Sequence, residues 1–262
     1  MKRAAFASLL LSLFLAACAS SPAPLPGITA PRPGEEFVAC GRRFPAGTRV
    51  VLWGDPGGFD AYAAPRPFGV RGGESAGGWS LDALRGKVRQ LVFHYDACGS
   101  SRRCFEVLQH ERGLSCHFLL DVDGTVYQTL DLRERAWHAA FANDISVGIE
   151  IANLGAYADP SALPGQDLVS GSIHGQRVWQ ARFPEAQYVA LERLVAALRV
   201  ALPRIGADAP RAADGSVLAE AFPSEAAALA FSGLVGHFHL TRGKIDPGPA
   251  FAWERVVAAA GR

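Results

Sequence analysis

A long amphipathic segment is the feature that most restricts how this chain can fold. Between residues 183 and 202, apolar side chains recur every three or four positions, as on one face of a helix. Pro184 suits the first turn of that helix, and Pro203 ends it. The apolar stripe consists of Tyr188, Leu191, Leu194, Val195, Leu198 and Leu202. Such a stripe has to be covered by a second layer of structure.

Short strand patterns are the candidates for that second layer. Several segments are rich in β-branched and aromatic residues, and the segment 146–152 alternates as a half-buried strand does. Asp123-Gly124 predicts a hairpin turn, because a tight turn needs positive φ angles. The predicted strands are 49–53, 88–94, 117–121, 125–130, 146–152 and 234–237.

Helices and loops are predicted between these strands. Residues 102–112 predict a short helix that ends at Gly113, and Ser224 is a candidate N-cap of another. The Gly/Pro/Ser-containing stretch 153–182 predicts a loop at the rim or lid of a cleft, and 204–223 predicts an inserted loop. Strands with interspersed helices indicate an α/β (mixed α+β) domain, with a central sheet flanked by helices.

The N-terminus carries the pattern of an export signal. Lys2 and Arg3 precede an apolar run, 4–17, that is too short to span a bilayer, for which about 20 residues are needed. The run ends at Cys18 in a sequence similar to a bacterial lipobox, which predicts a lipoprotein signal peptide over 1–17 and acylation of Cys18. An ordinary signal peptide with a chance cysteine is the alternative.

The residues after Cys18 predict where the protein is held. Residues 18–36 hold five prolines and predict a Pro-rich tether. Ala19 directly follows the cysteine, and in this respect the sequence resembles lipoproteins of the outer membrane. We therefore expect a cell-envelope protein, anchored by lipid to the outer membrane and facing the periplasm.

Charge and cysteine content narrow the function classes. The formal net charge is +1 and no run of Lys or Arg occurs, so nucleic-acid binding has little electrostatic support. The four cysteines after Cys18 allow three pairings. We favour Cys98 with Cys104, close neighbours at the start of a predicted helix; Cys40 and Cys116 form a second bridge or remain buried thiols.

Three short segments carry residues suited to catalysis. His94 ends a predicted buried strand, His237 lies in Gly-His-Phe-His, and Asp246 lies in Lys-Ile-Asp-Pro-Gly-Pro. Two imidazoles and one carboxylate are a ligand set for zinc that leaves a fourth position for water. Zinc lowers the pKa of that water to about 7 and polarises a carbonyl, which the hydrolysis of an amide requires.

Five segments occur in a specific order and spacing along the chain. They are F-H-Y (93–95), S-C-H-F-L-L-D-V-D-G-T-V-Y-Q (115–128), A-W-H-A (136–139), S-V-G-I-E-I-A-N (146–153) and G-H-F-H-L-T-R-G-K-I-D-P-G-P-A-F (236–251). This order and spacing resemble the zinc-dependent N-acetylmuramoyl-L-alanine amidases, the family that includes the peptidoglycan recognition proteins. The resemblance covers roughly residues 88 to 255.

The resemblance implies a role for each matched residue. His94, His237 and Asp246 correspond to the ligands of one Zn²⁺ per chain. Glu150 corresponds to the general base, and Lys244 to the lysine that stabilises the oxyanion.

Further matches concern the surroundings of the metal. Trp137 and His138 match residues that line the substrate groove, although Ala140 stands where a glycine is usual. Cys116 stands where some relatives carry a catalytic tyrosine. Cys98 and Cys104 match a bridge in the recognition-protein branch.

The implied function is hydrolysis of the amide between N-acetylmuramic acid and L-alanine in peptidoglycan or muropeptides, by a monomer. The implied layout is an N-terminal extension over 37–85 and a zinc amidase domain over 86–262. A lipoprotein that binds peptidoglycan without cutting it is the alternative. Such relatives lack the third ligand, which Asp246 supplies here. A different zinc hydrolase is a third possibility, although the common metalloprotease pattern H-E-x-x-H is absent.

Overall fold

The computed structural model describes residues 33–74 and 77–262. The predicted signal peptide, Cys18 and most of the predicted tether lie outside the described residues. The strands are β1 (Glu36–Ala39), β2 (Arg42–Pro45), β3 (Val50–Leu52), β4 (Phe68–Val70), β5 (Gln90–Tyr95), β6 (Phe118–Leu120), β7 (Val126–Gln128), β8 (Glu134–Ala136), β9 (Ser146–Ile151), β10 (Ala156–Tyr157), β11 (Leu168–Ile173), β12 (Gln176–Ala181) and β13 (Gly233–Gly236). The helices are α1 (Leu81–Lys87), α2 (Ser101–Glu106), α3 (Glu185–Ala201), α4 (Glu225–Ala230), α5 (His237–Leu240) and α6 (Trp253–Ala260).

A six-stranded sheet forms the centre of the fold, in the order β13-β5-β9-β6-β7-β3. Strands β13, β5, β9 and β6 are parallel, whereas β7 returns antiparallel to β6. The six predicted strands all lie in this sheet, so the predicted mixed α/β class is confirmed. The carboxyl ends of β13, β5 and β9 therefore meet at one edge of the sheet.

Helix α3 covers one face of this sheet. Its predicted stripe is buried and joins one apolar cluster with strand residues such as Phe93 and Ile149. Helix α6 packs beside it through Val256 and Ala260. Burying one such aliphatic side chain stabilises a fold by about 1.5–3 kcal/mol, so this stripe holds the helical layer to the sheet. Pro184 is the N-cap residue of α3 rather than part of its first turn.

The side chains of β9 point alternately into the apolar core and to the opposite face of the sheet. Val147, Ile149 and Ile151 point into the apolar cluster. Successive side chains of a strand point to opposite faces, so Ser146, Gly148 and Glu150 share the other face. The register places His94 of β5 directly beside Glu150.

The segment predicted as an N-terminal extension, 37–85, shares the core of the rest of the chain. Strand β3 pairs with β7 and extends the central sheet. The ring of Phe37 stacks on Phe44 at 5.5 Å and meets Phe118 edge-on at 6.3 Å. The side chain of Arg71 is fully buried and donates to four backbone carbonyls of the segment 132–146. This segment therefore supports the loops that lead into β9.

The hairpin between β6 and β7 forms at Asp123-Gly124, as predicted. Gly124 has a φ of 84° and its N–H donates to the Asp121 carbonyl at 3.0 Å. The positive φ is confined to Gly124, while the Asp123 carboxylate accepts the Thr125 N–H at 2.8 Å. A side chain at position 124 would also approach the Ala186 carbonyl to 2.6 Å, so glycine is required on two counts.

The prediction of a loop over 153–182 was wrong. This stretch contains a second sheet of three antiparallel strands in the order β10-β12-β11. His174 and Gly175 connect β11 to β12, and both have a φ of 53° or more, as a two-residue hairpin requires. The glycine and serine content concealed the alternating pattern of β11.

The predicted bridge between Cys98 and Cys104 is not formed, because Cys40, Cys98, Cys104 and Cys116 are free thiols. Cys104 faces inward and packs with Cys116 in an apolar cluster around Phe59 and Leu119. The Cys40 thiol lies elsewhere, 3.5 Å from the Trp79 carbonyl, so it does not pair with Cys116. Burial raises the pKa of the Cys104 and Cys116 thiols, which keeps them protonated and unreactive.

No helix within residues 33–74 and 77–262 combines the length and apolar character needed to cross a membrane.

Candidate metal centre and active site

The three predicted ligands meet at the carboxyl edge of the central sheet. His94 lies near the end of β5, and His237 is the first residue of α5, directly after β13. Asp246 lies in the segment 241–252 between α5 and α6, which we call the ligand loop. The Phe238 N–H donates to the Asp246 carbonyl at 3.1 Å, which ties this loop to the helix that carries His237.

The donor atoms of these residues form a nearly equilateral triangle. His94 Nδ1 lies 3.0 Å from His237 Nδ1 and 2.9 Å from Asp246 Oδ2. The third side, from His237 Nδ1 to Asp246 Oδ2, measures 3.0 Å. Donor atoms in a tetrahedral zinc site with bonds of about 2.0 Å lie roughly 3.3 Å apart, so the triangle has the size of such a site.

Electrostatics also suit a cation at this point. Burial opposes ionisation of Asp246, but its contacts with His237 and His94 outweigh that effect and hold the pKa of its carboxyl below its usual range. Burial, followed by the charge of His237, lowers the pKa of His94 to about 4. An ionised carboxylate and a neutral imidazole are the protonation states that bind a metal. The residues present therefore fit zinc.

Glu150 stands beside the triangle as a buried acid. Its Oε2 atom has no hydrogen-bond partner among the described residues. Burial, together with the charges of Asp246 and Asp96, raises the pKa of its carboxyl well above the ordinary value. A carboxyl held in this way can accept a proton near neutral pH, as a general base must.

Lys244 lies on the ligand loop with its side chain exposed. Its positive charge acts on Glu150 and on His94 in the direction expected for a cation close to both. The predicted base is thus beside a predicted ligand in the sheet, and the predicted lysine lies two residues before another ligand on the same loop.

Trp137 and His138 differ in their surroundings. The Trp137 side chain is 36% exposed at the surface. The His138 ring lies against the predicted ligand His94, with Nδ1 only 3.1 Å from Nε2 of His94. The structure therefore places His138 against a predicted ligand.

Other histidines near the sheet have both ring nitrogens engaged within the fold. His239 accepts the Gly236 N–H at 2.8 Å and lies 2.7 Å from the Leu218 carbonyl. His117 accepts the Gly148 N–H and lies 3.1 Å from the Glu134 carbonyl. His117 is thus a core residue, and His239 belongs to the scaffold of α5.

A family model described as N-acetylmuramoyl-L-alanine amidase matches residues 84–249, well over half of the chain. The chain belongs to the N-acetylmuramoyl-L-alanine amidase family. The predicted membership in the N-acetylmuramoyl-L-alanine amidases is thereby confirmed, and this chain is an enzyme of that activity.

Named relatives of this amidase show the range of similarity. It is 24% identical over 192 residues to the 1,6-anhydro-N-acetylmuramyl-L-alanine amidase AmpD of Haemophilus influenzae, covering 70% of this chain and 73% of that protein. A selenomethionine derivative of AmpD gives 20% identity and a TM-score of 0.45 over 81% of this chain and 93% of the other. The amidase AmiD of E. coli, in complex with its substrate, gives 22% identity and a TM-score of 0.44 over 66% and 57%.

Two residues that hold the ligand loop of this amidase escaped the sequence analysis. Gln180 of β12 is fully buried; its Nε2 donates to the Pro247 carbonyl and its Oε1 accepts the Ala250 N–H, both at 2.9 Å. His174, at the hairpin tip, lies with Nε2 3.0 Å from the Lys244 carbonyl. Neither residue lies in a motif, so no local signal could have found them.

The departure of this amidase at Ala140 has a structural counterpart. Ala140 has a φ of 46°, in the left-handed region that glycine adopts without strain. The backbone therefore keeps the conformation expected of the usual glycine, with an alanine in it. The strain lies two residues from His138.

Proposed function

We propose that this amidase is zinc-dependent and cleaves the amide between N-acetylmuramic acid and L-alanine in peptidoglycan or in muropeptides released from it. His94, His237 and Asp246 hold one zinc ion per chain. The observation that carries this proposal is the triangle of donor atoms with sides of 2.9–3.0 Å. The complete triad also favours an enzyme over a binding-only lipoprotein.

The metal and the protein side chains have different roles in the proposed reaction. Zinc at this triad supplies a Lewis acid for the amide carbonyl and makes water more acidic. Glu150 takes a proton from the attacking water through Oε2, the atom that has no other partner in the described residues. The same carboxyl then delivers the proton to the nitrogen of the leaving L-alanine.

Lys244 acts on the carbonyl oxygen. An ammonium group directed at the carbonyl oxygen stabilises the negative charge that this oxygen gains during attack. Lys244 lies two residues before the ligand Asp246, so binding of the metal and stabilisation of the oxyanion depend on one segment. Cys116 stands where some relatives have tyrosine, and the proposed reaction assigns it no proton transfer.

The test combines metal analysis with product analysis. We expect elemental analysis of the purified chain to find about one zinc per molecule. We expect mass spectrometry to show release of free stem peptide from sacculi or from soluble anhydro-muropeptides. A chelator should stop this release, and added zinc should restore it. Protein that pulls down cell wall but releases no peptide, with zinc present, would contradict the proposal.

We also propose that the protein is a lipoprotein of the outer membrane, anchored at Cys18 and facing the periplasm. The support is the apolar run before Cys18 and the five prolines in residues 18–36. Labelling with a palmitate analogue should mark the wild-type chain and leave Cys18→Ala unmarked. Recovery of unlabelled wild-type protein in the soluble periplasmic fraction would exclude the anchor.

A further inference from the structure

His94 is held from behind by a chain of three hydrogen bonds that ends on the backbone. Nε2 of His94 lies 3.1 Å from Nδ1 of His138. Nε2 of His138 lies 3.3 Å from the hydroxyl of Ser146. That hydroxyl in turn donates to the Ala142 carbonyl at 2.7 Å. The far end of the chain is therefore a fixed acceptor.

This fixed acceptor determines which group donates in each of the three hydrogen bonds. Because the Ser146 hydroxyl gives its proton to Ala142, it can only accept from Nε2–H of His138. A neutral imidazole that carries its proton on Nε2 accepts at Nδ1, so His138 accepts from Nε2–H of His94. His94 then has a bare lone pair on Nδ1, the atom that faces Asp246 and His237.

The face of β9 is shaped to seat His138. A Cβ atom at Gly148 would lie 2.6 Å from Nδ1 of His138 and 2.7 Å from its Cγ, so the ring rests directly on the strand backbone. Asn143 accepts the backbone N–H groups of His138 and Ala139 at 3.1 and 2.7 Å. Alternate residues on one face of this strand thus supply the acceptor Ser146, the space at Gly148 and the proposed base Glu150.

We propose that His138 is a positioning residue: it fixes the tautomer and the ring orientation of the zinc ligand His94, with Ser146 and Gly148 holding it in place. This proposal rests on the proposed zinc site. It replaces the prediction that His138 contacts substrate, because both ring nitrogens of His138 are occupied within the protein. Partners that orient a ligating histidine change metal affinity or activity by roughly 10- to 100-fold when removed.

The decisive measurement is the zinc dissociation constant of the full chain, obtained by competition with a chelating indicator. We expect His138→Phe, which fills the space but cannot accept a hydrogen bond, to weaken zinc binding roughly 10- to 100-fold. Ser146→Ala keeps His138 but removes its acceptor, and a smaller loss in the same direction is expected. Trp137→Phe, one residue away and outside the chain of bonds, is the matched control and should bind zinc as the wild type does.

Two further readouts separate positioning from substrate contact. In ¹⁵N-histidine spectra of the metal-free chain, the wild type should show His94 protonated on Nε2, and His138→Phe should show a mixture of tautomers. At saturating zinc, KM for a muropeptide should stay unchanged in Ser146→Ala, whereas a substrate contact predicts a raised KM at unchanged zinc affinity. If His138→Phe folds and binds zinc as the wild type does, the inference about His138 is overturned and the proposed zinc site is not. If that variant does not fold, unchanged zinc affinity in Ser146→Ala has the same meaning. A wild-type chain that binds no zinc overturns the proposed function instead.

Discussion

The proposed metal centre has two halves that are built differently. His94 and Glu150 lie on adjacent central strands, and the ladder between β5 and β9 fixes their spacing. Lys244 and Asp246 lie on the ligand loop, which has no ladder of its own and is held by side chains of the second sheet. The strand half is therefore fixed by backbone pairing between two strands that local sequence patterns predict, whereas the loop half depends on side-chain contacts from a separate sheet.

The largest effect is expected when one carboxylate from each half is replaced by its amide. Asp246→Asn removes a charged ligand, and we expect zinc to be lost together with activity. Glu150→Gln keeps the size of the side chain and removes only the base. Zinc content should therefore stay near one per chain, while turnover falls roughly 10²- to 10⁴-fold. Elemental analysis and muropeptide hydrolysis on the same samples check both. Full turnover in Glu150→Gln would remove that residue from the proposed role.

The next effect tests how the loop half is held. Gln180→Leu retains the volume but leaves the Pro247 carbonyl and the Ala250 N–H without their partner, at a cost of about 1–3 kcal/mol for each buried group. We expect a lower melting temperature and weaker zinc binding, because Asp246 lies next to Pro247.

Gln187→Leu is the matched control for this prediction. Gln187 is also a buried glutamine, but it donates to the carbonyls of Leu120 and Ala152 under α3. The control should lower stability and leave the zinc affinity unchanged. If Gln180→Leu also binds zinc as tightly as the wild type, Gln180 contributes to stability alone.

How far the sequence could predict this site follows from the same comparison. The strand half was predictable, because the alternation in 146–152 and the position of His94 at a strand end are local patterns. The triad and Lys244 could be named from the family resemblance. Gln180 and His174 could not, since their role depends on a second sheet that the sequence pattern presented as a loop. The Cys98–Cys104 bridge was predicted from proximity along the chain and from the match to the recognition-protein branch, and neither shows whether the two thiols are joined.

A smaller effect is expected at the hairpin tip. His174 lies with Nε2 3.0 Å from the Lys244 carbonyl and with Nδ1 3.4 Å from the Glu220 carboxylate. His174→Leu removes the donor, and we expect kcat to fall several-fold at unchanged zinc content, because the loss of one hydrogen bond costs about 1 kcal/mol. His174→Gln can still donate from Nε2 and should recover most of kcat. Identical kinetics in both variants would mean that the second sheet acts on the loop through Gln180 only.

The smallest effect concerns strain in the strand half. Ala140 adopts a φ of 46°, whereas its neighbour Ala139 has a φ of −141°, which any residue tolerates. Ala140→Gly relieves the left-handed strain, which costs roughly 1–2 kcal/mol, but loses part of that gain to the greater freedom of glycine in the unfolded chain. We expect a net gain of about 0.5–1 kcal/mol in the free energy of unfolding, measured by denaturant titration. Ala139→Gly gains no relief and should destabilise instead. If both substitutions destabilise, the segment beside His138 is not strained, and the rigidity of the strand half comes from the β5–β9 ladder and Asn143 alone.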